Sequence, residues 1–310
     1  MLVFISKRLG QMVLIMLVVS LLVFLLLELQ PGNVATKVLG PYSTMEQRQL
    51  WLEAHGYMDN VVVRYGRWLG GFLTGDMGDS IRFKVPVTDL LWDRLGNTAL
   101  LGLGVFLIMV PLALVLGVLA GMKEGSLLDR VITITCVGTT SVPEFASTVL
   151  MSAIFVFLLG WLPGTSSMLG GFSITEMIMP VMVLVIYDFG YVARMTRASM
   201  AEVMTTPYIR TAVLKGLPYR RVILRHALRN ALIAPFTVIL LQVNWLLSGV
   251  IVVEFFFAYK GFGALLLEGA LNQDIFVIEA CTMVSVVVVS MTRLISDIGY
   301  TYLNPRIRFA

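Results

Sequence analysis

Few side chains in this 310-residue chain have the type and setting to do chemistry. Asp188 stands in the apolar run VLVIYDFGYVARM, and Glu254 precedes Phe255, Phe256 and Phe257 at the end of another. An ionisable group inside a hydrocarbon-length segment is costly, so each is a candidate for function by default. Asp188 has two readings: it lines a solute path and attracts an amine, or it pairs with Gln242 or Asn244 on a neighbouring apolar stretch. Glu254 likewise reads as a gate or receptor contact, or as an interfacial carboxylate beside an aromatic belt. His55 and His226 are the only histidines and lie in different polar segments, so a shared histidine metal site is excluded. Cys136 and Cys281 sit far apart in apolar runs and read as small core residues. No zinc or iron–sulfur spacing occurs, and no metal site is expected. No G-x-x-x-x-G-K-[ST] phosphate loop occurs either, nor any Gly-Lys pair, so this chain cannot itself supply ATP chemistry.

A different kind of chemistry is concentrated in Thr206–Asn230, TPYIRTAVLKGLPYRRVILRHALRN. Pro207 after Thr206 marks a helix start, Gly216 a stop, and Pro218 a second start. The spacing predicts a short helix over Pro207–Lys215, too short to persist in water unless neighbours hold it. In the second helix Arg221, Arg225 and Arg229 recur every four residues and share one stripe. That stripe anchors at anionic headgroups or grips a protein; the capped strut in front of it favours a protein.

The elements that must carry these residues are membrane spans. The chain is 58% hydrophobic and 14% charged, with mean hydropathy +0.87, against about 25% charged for soluble domains. Leu9–Leu27 is long enough to cross a ~30 Å hydrocarbon core and reads as a retained first span. Residues 30–95 are polar and aromatic, with many Gly and Pro, and read as a folded external segment. Five further apolar stretches follow, at about 98–122, 131–159, 174–192 (continuing past Arg197), 231–257 and 275–302, giving six transmembrane helices. Lys7 and Arg8, Lys123 and Arg130, the six bases between Arg210 and Arg229, and Arg306 and Arg308 fall in alternate connections, while 160–173 has none. That bias places both termini and the Thr206 stretch in the cytoplasm. No basic run suggests nucleic acid.

Arg210-Thr211-Ala212, three residues, then Gly216 has the spacing of the EAA-x3-G loop motif. With YIRTAxxKGL followed by RHALRNAL, the stretch resembles the dipeptide/oligopeptide/nickel branch of binding-protein-dependent ABC importer permeases. The resemblance runs along nearly the whole chain, through Lys7-Arg8-Leu9, Pro31-Gly32 as a post-span turn, Gly75-Asp76-Met77-Gly78, Ser141-Val142-Pro143, Val252-Val253-Glu254, Gly261-Phe262-Gly263 and Asn304-Pro305-Arg306. Arg210 and Thr211 depart from the usual Glu and Ala, and Lys260 stands where many relatives have proline.

The resemblance implies an all-α, type I importer (MetI-like) fold: an N-terminal span at 1–29, a periplasmic segment at 30–95, and a permease core at 96–310 with its coupling helix at about 206–216. It implies a non-enzymatic subunit of a bacterial or archaeal inner membrane that forms half of a path for peptides or similar polar solutes. Its implied partners are a second homologous permease, two cytoplasmic ATPase subunits that bind ATP and Mg, an extracytoplasmic solute-binding protein and the bilayer. Under it Tyr208 and Ile209 are apolar knobs for the ATPase, Arg210 and Thr211 make polar contacts beside Ala212, and Gly216 permits the turn into Pro218. Arg221, Arg225 and His226 brace the strut or touch the ATPase rim. The competing class is a self-sufficient secondary transporter or channel, which would favour inverted repeats that this sequence does not display.

Overall fold

The computed structural model describes residues 2–28 and 31–303, except the side chains of residues 2–5, 28, 31–33, 244, 246–249 and 300–303. The chain begins with α1 (Leu2–Glu28), α2 (Pro31–Leu39), α3 (Met45–Ala54), α4 (Val61–Thr74), α5 (Val87–Met122), α6 (Leu127–Ser141) and α7 (Glu144–Leu158). It continues with α8 (Ile174–Met204), α9 (Pro207–Leu214), α10 (Tyr219–Ala231), α11 (Ile233–Gly249), α12 (Ile251–Phe256), α13 (Phe262–Leu271) and α14 (Ile275–Leu303). No strand occurs among the described residues; one isolated bridge pairs Asp79 with Pro86. Among the described residues four helices are long and apolar enough to cross a membrane singly, and up to six spans result if each bent helix pair counts as one.

The chain divides into two compact units, residues 1–98 with 260–294 and residues 99–259 with 295–310. In the first, Phe24 of α1 meets Tyr65 and Trp68 of α4 at ring-centroid distances of 5.5 and 5.8 Å. Local signals set its short helices. Thr44 and Gln47 form a reciprocal capping box on α3, Asn60 caps α4, and Gly75 ends α4 at φ +87°. Asp274, fully buried, accepts from Ser80 Oγ at 2.6 Å and from the Arg82 amide at 3.0 Å, pinning the 80–82 turn at the start of α14.

In the second unit α8 is the central element. Sixty-seven per cent of its apolar window is buried, against 11% for α1. Close approach explains its glycines. A Cβ on Gly190 would lie 2.6 Å from the Cys136 carbonyl of α6, and one on Gly117 would lie 2.5 Å from the Ala193 carbonyl. A Cβ on Gly121, one turn on, would lie 2.6 Å from the Arg197 carbonyl, so Gly117 and Gly121 let α5 pack against α8 as small-xxx-small pairs do.

Several expectations are corrected. The third apolar stretch is not a straight span: α6 and α7 meet at 97°. Pro143 removes a backbone donor and holds Val142 extended, at φ −87° and ψ 123°, so α6 ends at Ser141. The fifth stretch, 231–257, is segmented too: it breaks between α11 and α12, and α10 meets α11 at 49° at its start. Residues 222–227 of α10 and 153–158 of α7 are π-wound. Pro31-Gly32 opens α2 rather than forming a turn, a placement suited to proline's missing amide hydrogen. The second stretch begins already at Val87, and the unexpected helix α13 fills the connection before α14. Asn304, Pro305, Arg306 and Arg308 lie outside the described residues.

Candidate functional site

The Thr206–Asn230 stretch folds as a clasped strut. Thr206 takes the N-cap position and Pro207 opens α9. At its other end the Gly216 amide donates to Val213 O (2.9 Å) and the Leu217 amide to Ala212 O (3.3 Å), the two bonds of a Schellman stop. Gly216 sits at φ +72° with open space where a Cβ would be, so the left-handed backbone, and not crowding, calls for glycine.

One face of α9 belongs to the chain's own core. Ile209 and Ala212, 2% and 6% exposed, pack with Met200, Val222, Ile223, Ala227 and Ala231. Ile209 is therefore not an outward knob: it docks the strut, and Ala212 lies beside it. Tyr208 remains outward at 41% exposure, its hydroxyl accepting from Asn230 Nδ2 at 2.8 Å. Arg210 and Thr211 are exposed too, and Thr211 Oγ1 donates to the Pro207 carbonyl. Sequence reasoning passed over Leu214, 81% exposed on the same helix. An isolated leucine beside a glycine stop carries no periodic signal.

Pro218 precedes α10, on which Arg221, Arg225 and Arg229 are all exposed while Val222, Ile223 and Ala227 face inward. His226 is half-buried. The outward surface thus combines Tyr208 and Leu214 with a row of guanidinium groups, a mixture suited to gripping an acidic, partly apolar protein cleft.

The second candidate lies among the spans. Asp188, 4% exposed, accepts from Gln242 Nε2 at 2.7 Å, which realises the pairing of these two residues. The pair borders a cavity of about 190 Å³ lined also by Thr140, Tyr187, Tyr191, Arg194 and Trp245. Tyr187 and Trp245 stack there at 5.4 Å. Arg194 Nε and Glu144 Oε1 are buried without a hydrogen-bond partner among the described residues. Glu144 lies within electrostatic range of Asp188. A carboxyl group, a guanidinium, an amide and hydroxyls in so small a space, with the Glu144 carboxyl acting on it electrostatically, can hold water or a polar solute group. Glu144 escaped sequence reasoning because one acid at a proline-broken helix start barely lowers an apolar window.

Asn244 belongs to α11 by backbone, and its side chain lies outside the described residues. Glu254 is fully buried among protein atoms. Its charge adds to the burial that pushes the Tyr259 phenol up to about 12. The structure does not bring Glu254 to the cavity beside Asp188.

Residues 113–309 match the family described as binding-protein-dependent transport system inner membrane component. Residues 1–101 match the N-terminal segment of the same kind of membrane component. The chain is 33% identical over 313 residues to the oligopeptide transport system permease protein AppB of Bacillus subtilis, covering 99% of each chain. It is 32% identical over 309 residues to the glutathione transport system permease protein GsiC of Salmonella paratyphi A, covering 100% of each. Identity to the dipeptide transport system permease protein DppB of Alkalihalophilus pseudofirmus is 29% over 333 residues, again covering 100% of each.

Proposed function

Because the chain belongs to the family of binding-protein-dependent transport system inner membrane components, we propose that its cargo is a peptide and that α9 couples it to a cytoplasmic ATPase. It is a multi-pass protein of the cytoplasmic membrane and a permease subunit of an ABC importer. In our reading it crosses the membrane six times, with α6 and α7 together as the third span, α10 and α11 contributing to the fifth, and both termini cytoplasmic. Residues 30–95 stand outside, 1–29 form the first span, and 96–310 form the permease core. A second, homologous permease completes the path, two ATPase subunits bind ATP and Mg, and a solute-binding protein delivers cargo. Asp188, Gln242 and Glu144 are polar contacts along that path.

Peptide cargo is supported by relatives of full-length coverage named for oligopeptides, dipeptides and glutathione. The coupling role rests above all on one observation: α9 is clamped inward by Ile209 and Ala212 while Tyr208 and Leu214 stay exposed. A helix too short to persist alone and held on a core by one face transmits a push on its other face.

The test is ATP-driven uptake of a labelled tripeptide by the assembled importer in proteoliposomes. Leu214→Asp and Tyr208→Asp place charge on the outward face without touching the inner one. Each is expected to lower uptake about tenfold or more, the effect of losing a hot-spot contact of ~1.4 kcal/mol or more. Uptake equal to wild type in both variants would remove the coupling role from this helix.

A further inference from the structure

The unit formed by residues 1–98 with 260–294 contains a cavity of about 700 Å³, a volume no step of the reading above uses. It falls within the ~300–1,000 Å³ of small-molecule sites. Its lining includes a buried acid and a buried base, Glu279 on α14 and Arg64 on α4, 2% and 8% exposed. Aromatic rings surround them. The Arg64 guanidinium lies 4.7 Å from the Tyr57 ring centroid and 5.8 Å from that of Phe24. The Trp68 indole N–H donates to the Glu279 carboxylate, yet Glu279 Oε1 is buried with no hydrogen-bond partner among the described residues. Glu279 acts electrostatically on both Arg64 and Tyr57, and burial with that added charge pushes the Tyr57 phenol up to about 12. The other arginine on the wall, Arg67, is paired with Asp59 at 2.6 Å.

A purely structural ion pair would satisfy the carboxylate with the groups around it, because a buried acceptor left open is costly. Here one oxygen is left open, on a residue that lines a cavity large enough for a ligand. The charges also select what enters. Asp76, Asp79 and Lys84 line the cavity as well, so its wall carries both signs, and a molecule carrying both signs meets a complement for each. The rings of Phe24, Trp68 and Phe276 line the same cavity and offer it apolar faces.

We propose that this cavity binds a zwitterionic solute of short-peptide size, Glu279 accepting its ammonium group and Arg64 holding its carboxylate. The proposal rests on the peptide reading above and adds a site for that cargo on the permease itself.

Equilibrium dialysis of labelled trialanine against the full-length chain in nanodiscs, without ATP, tests it. Trialanine is expected to bind, and N-acetyl-trialanine and trialanine amide to bind about tenfold or more weakly, since each lacks one pole. Glu279→Gln keeps the shape of the side chain and is expected to reduce trialanine binding to the level of the N-acetyl form, while leaving the N-acetyl form unchanged. The blocked peptides need no altered protein, so the result does not depend on how a variant folds. Equal binding of free and blocked peptides overturns the proposal. So does an absence of trialanine binding when the assembled importer takes up trialanine with ATP, which leaves the peptide reading intact. Absence of both binding and uptake overturns the peptide reading together with the site built on it.

Discussion

Arg197 donates from Nε and Nη2 to the two carboxylate oxygens of Asp129, both at 2.8 Å, and its Nη2 also lies 3.3 Å from Glu124 Oε1. The partners are unequally buried: the Asp129 side chain is 4% exposed and that of Arg197 27%. Removing one therefore does not equal removing the other. Arg197→Ala leaves a buried carboxylate with only the Gly125 amide and the Thr133 hydroxyl, and should cost about 3–5 kcal/mol. Asp129→Ala leaves a half-exposed guanidinium that still reaches Glu124 and water, and should cost about 1–3 kcal/mol. Thermal unfolding of the purified chain is expected to show the larger midpoint drop for Arg197→Ala; the reverse order would mean that burial does not govern this pair. At this scale the sequence was informative where a polar residue interrupted an apolar run. Asp188 and Gln242 stood out that way, and they meet. Glu144 and Glu279 did not, because each sits within the first turns of its helix, where hydropathy is already rising.

Helix α9 shows how a local signal and a tertiary one divide the work. Thr206, Pro207 and Gly216 announce where it starts and stops, and its ends lie where they say. They do not say which face turns inward. That is decided by Ile209 and Ala212 meeting Val222, Ile223 and Ala227, residues separated from them by the turn at Pro218. Burying an isoleucine side chain contributes about 1.5–3 kcal/mol, enough to hold eight residues in place only if that side chain fits. Ile209→Asp exchanges this for a buried charge and should undock the strut at a cost of about 2–3 kcal/mol. Hydrogen exchange of the amides at 210–216 is then expected to quicken roughly 30- to 150-fold. Thr211→Ala, on the exposed face, should leave exchange unchanged. Similar exchange in both variants would mean the inner face does not hold α9. The same division explains the third span. Ser141-Val142-Pro143 carries a visible break signal, but the 97° angle between α6 and α7 comes from packing against α8 and could not be read from the run itself. Span existence was legible because it depends on composition, whereas span shape depends on partners distant in sequence.

For the whole molecule, the question left by two bent helix pairs is how many times the chain crosses. Among the described residues four helices are long and apolar enough to cross singly, and six crossings require that α6 with α7, and α10 with α11, each traverse the bilayer. The two counts disagree about specific surface residues. With six crossings and a cytoplasmic N-terminus, Tyr42, Leu169 and Leu271 face outward, and Leu127 and Leu214 face the cytoplasm. With four, Tyr42, Leu127 and Leu271 keep their sides while Leu169 and Leu214 exchange theirs. All five are open to reagents, at 98%, 81%, 67%, 79% and 81% exposure in the order Tyr42, Leu169, Leu271, Leu127, Leu214. The native cysteines are silent background, Cys136 at 1% and Cys281 at 0% exposure. Single cysteines at Tyr42, Leu169 and Leu214 are therefore sufficient, labelled in intact cells with a membrane-impermeant maleimide and again after permeabilisation. The basic residues clustered between α8 and α11 favour a cytoplasmic location for Leu214, because Lys and Arg in short connections resist translocation. Tyr42→Cys and Leu169→Cys are expected to label in intact cells, and Leu214→Cys only after permeabilisation. Labelling of Leu214→Cys from outside, with Leu169→Cys protected, would establish four crossings and remove α9 from the reach of any cytoplasmic ATPase.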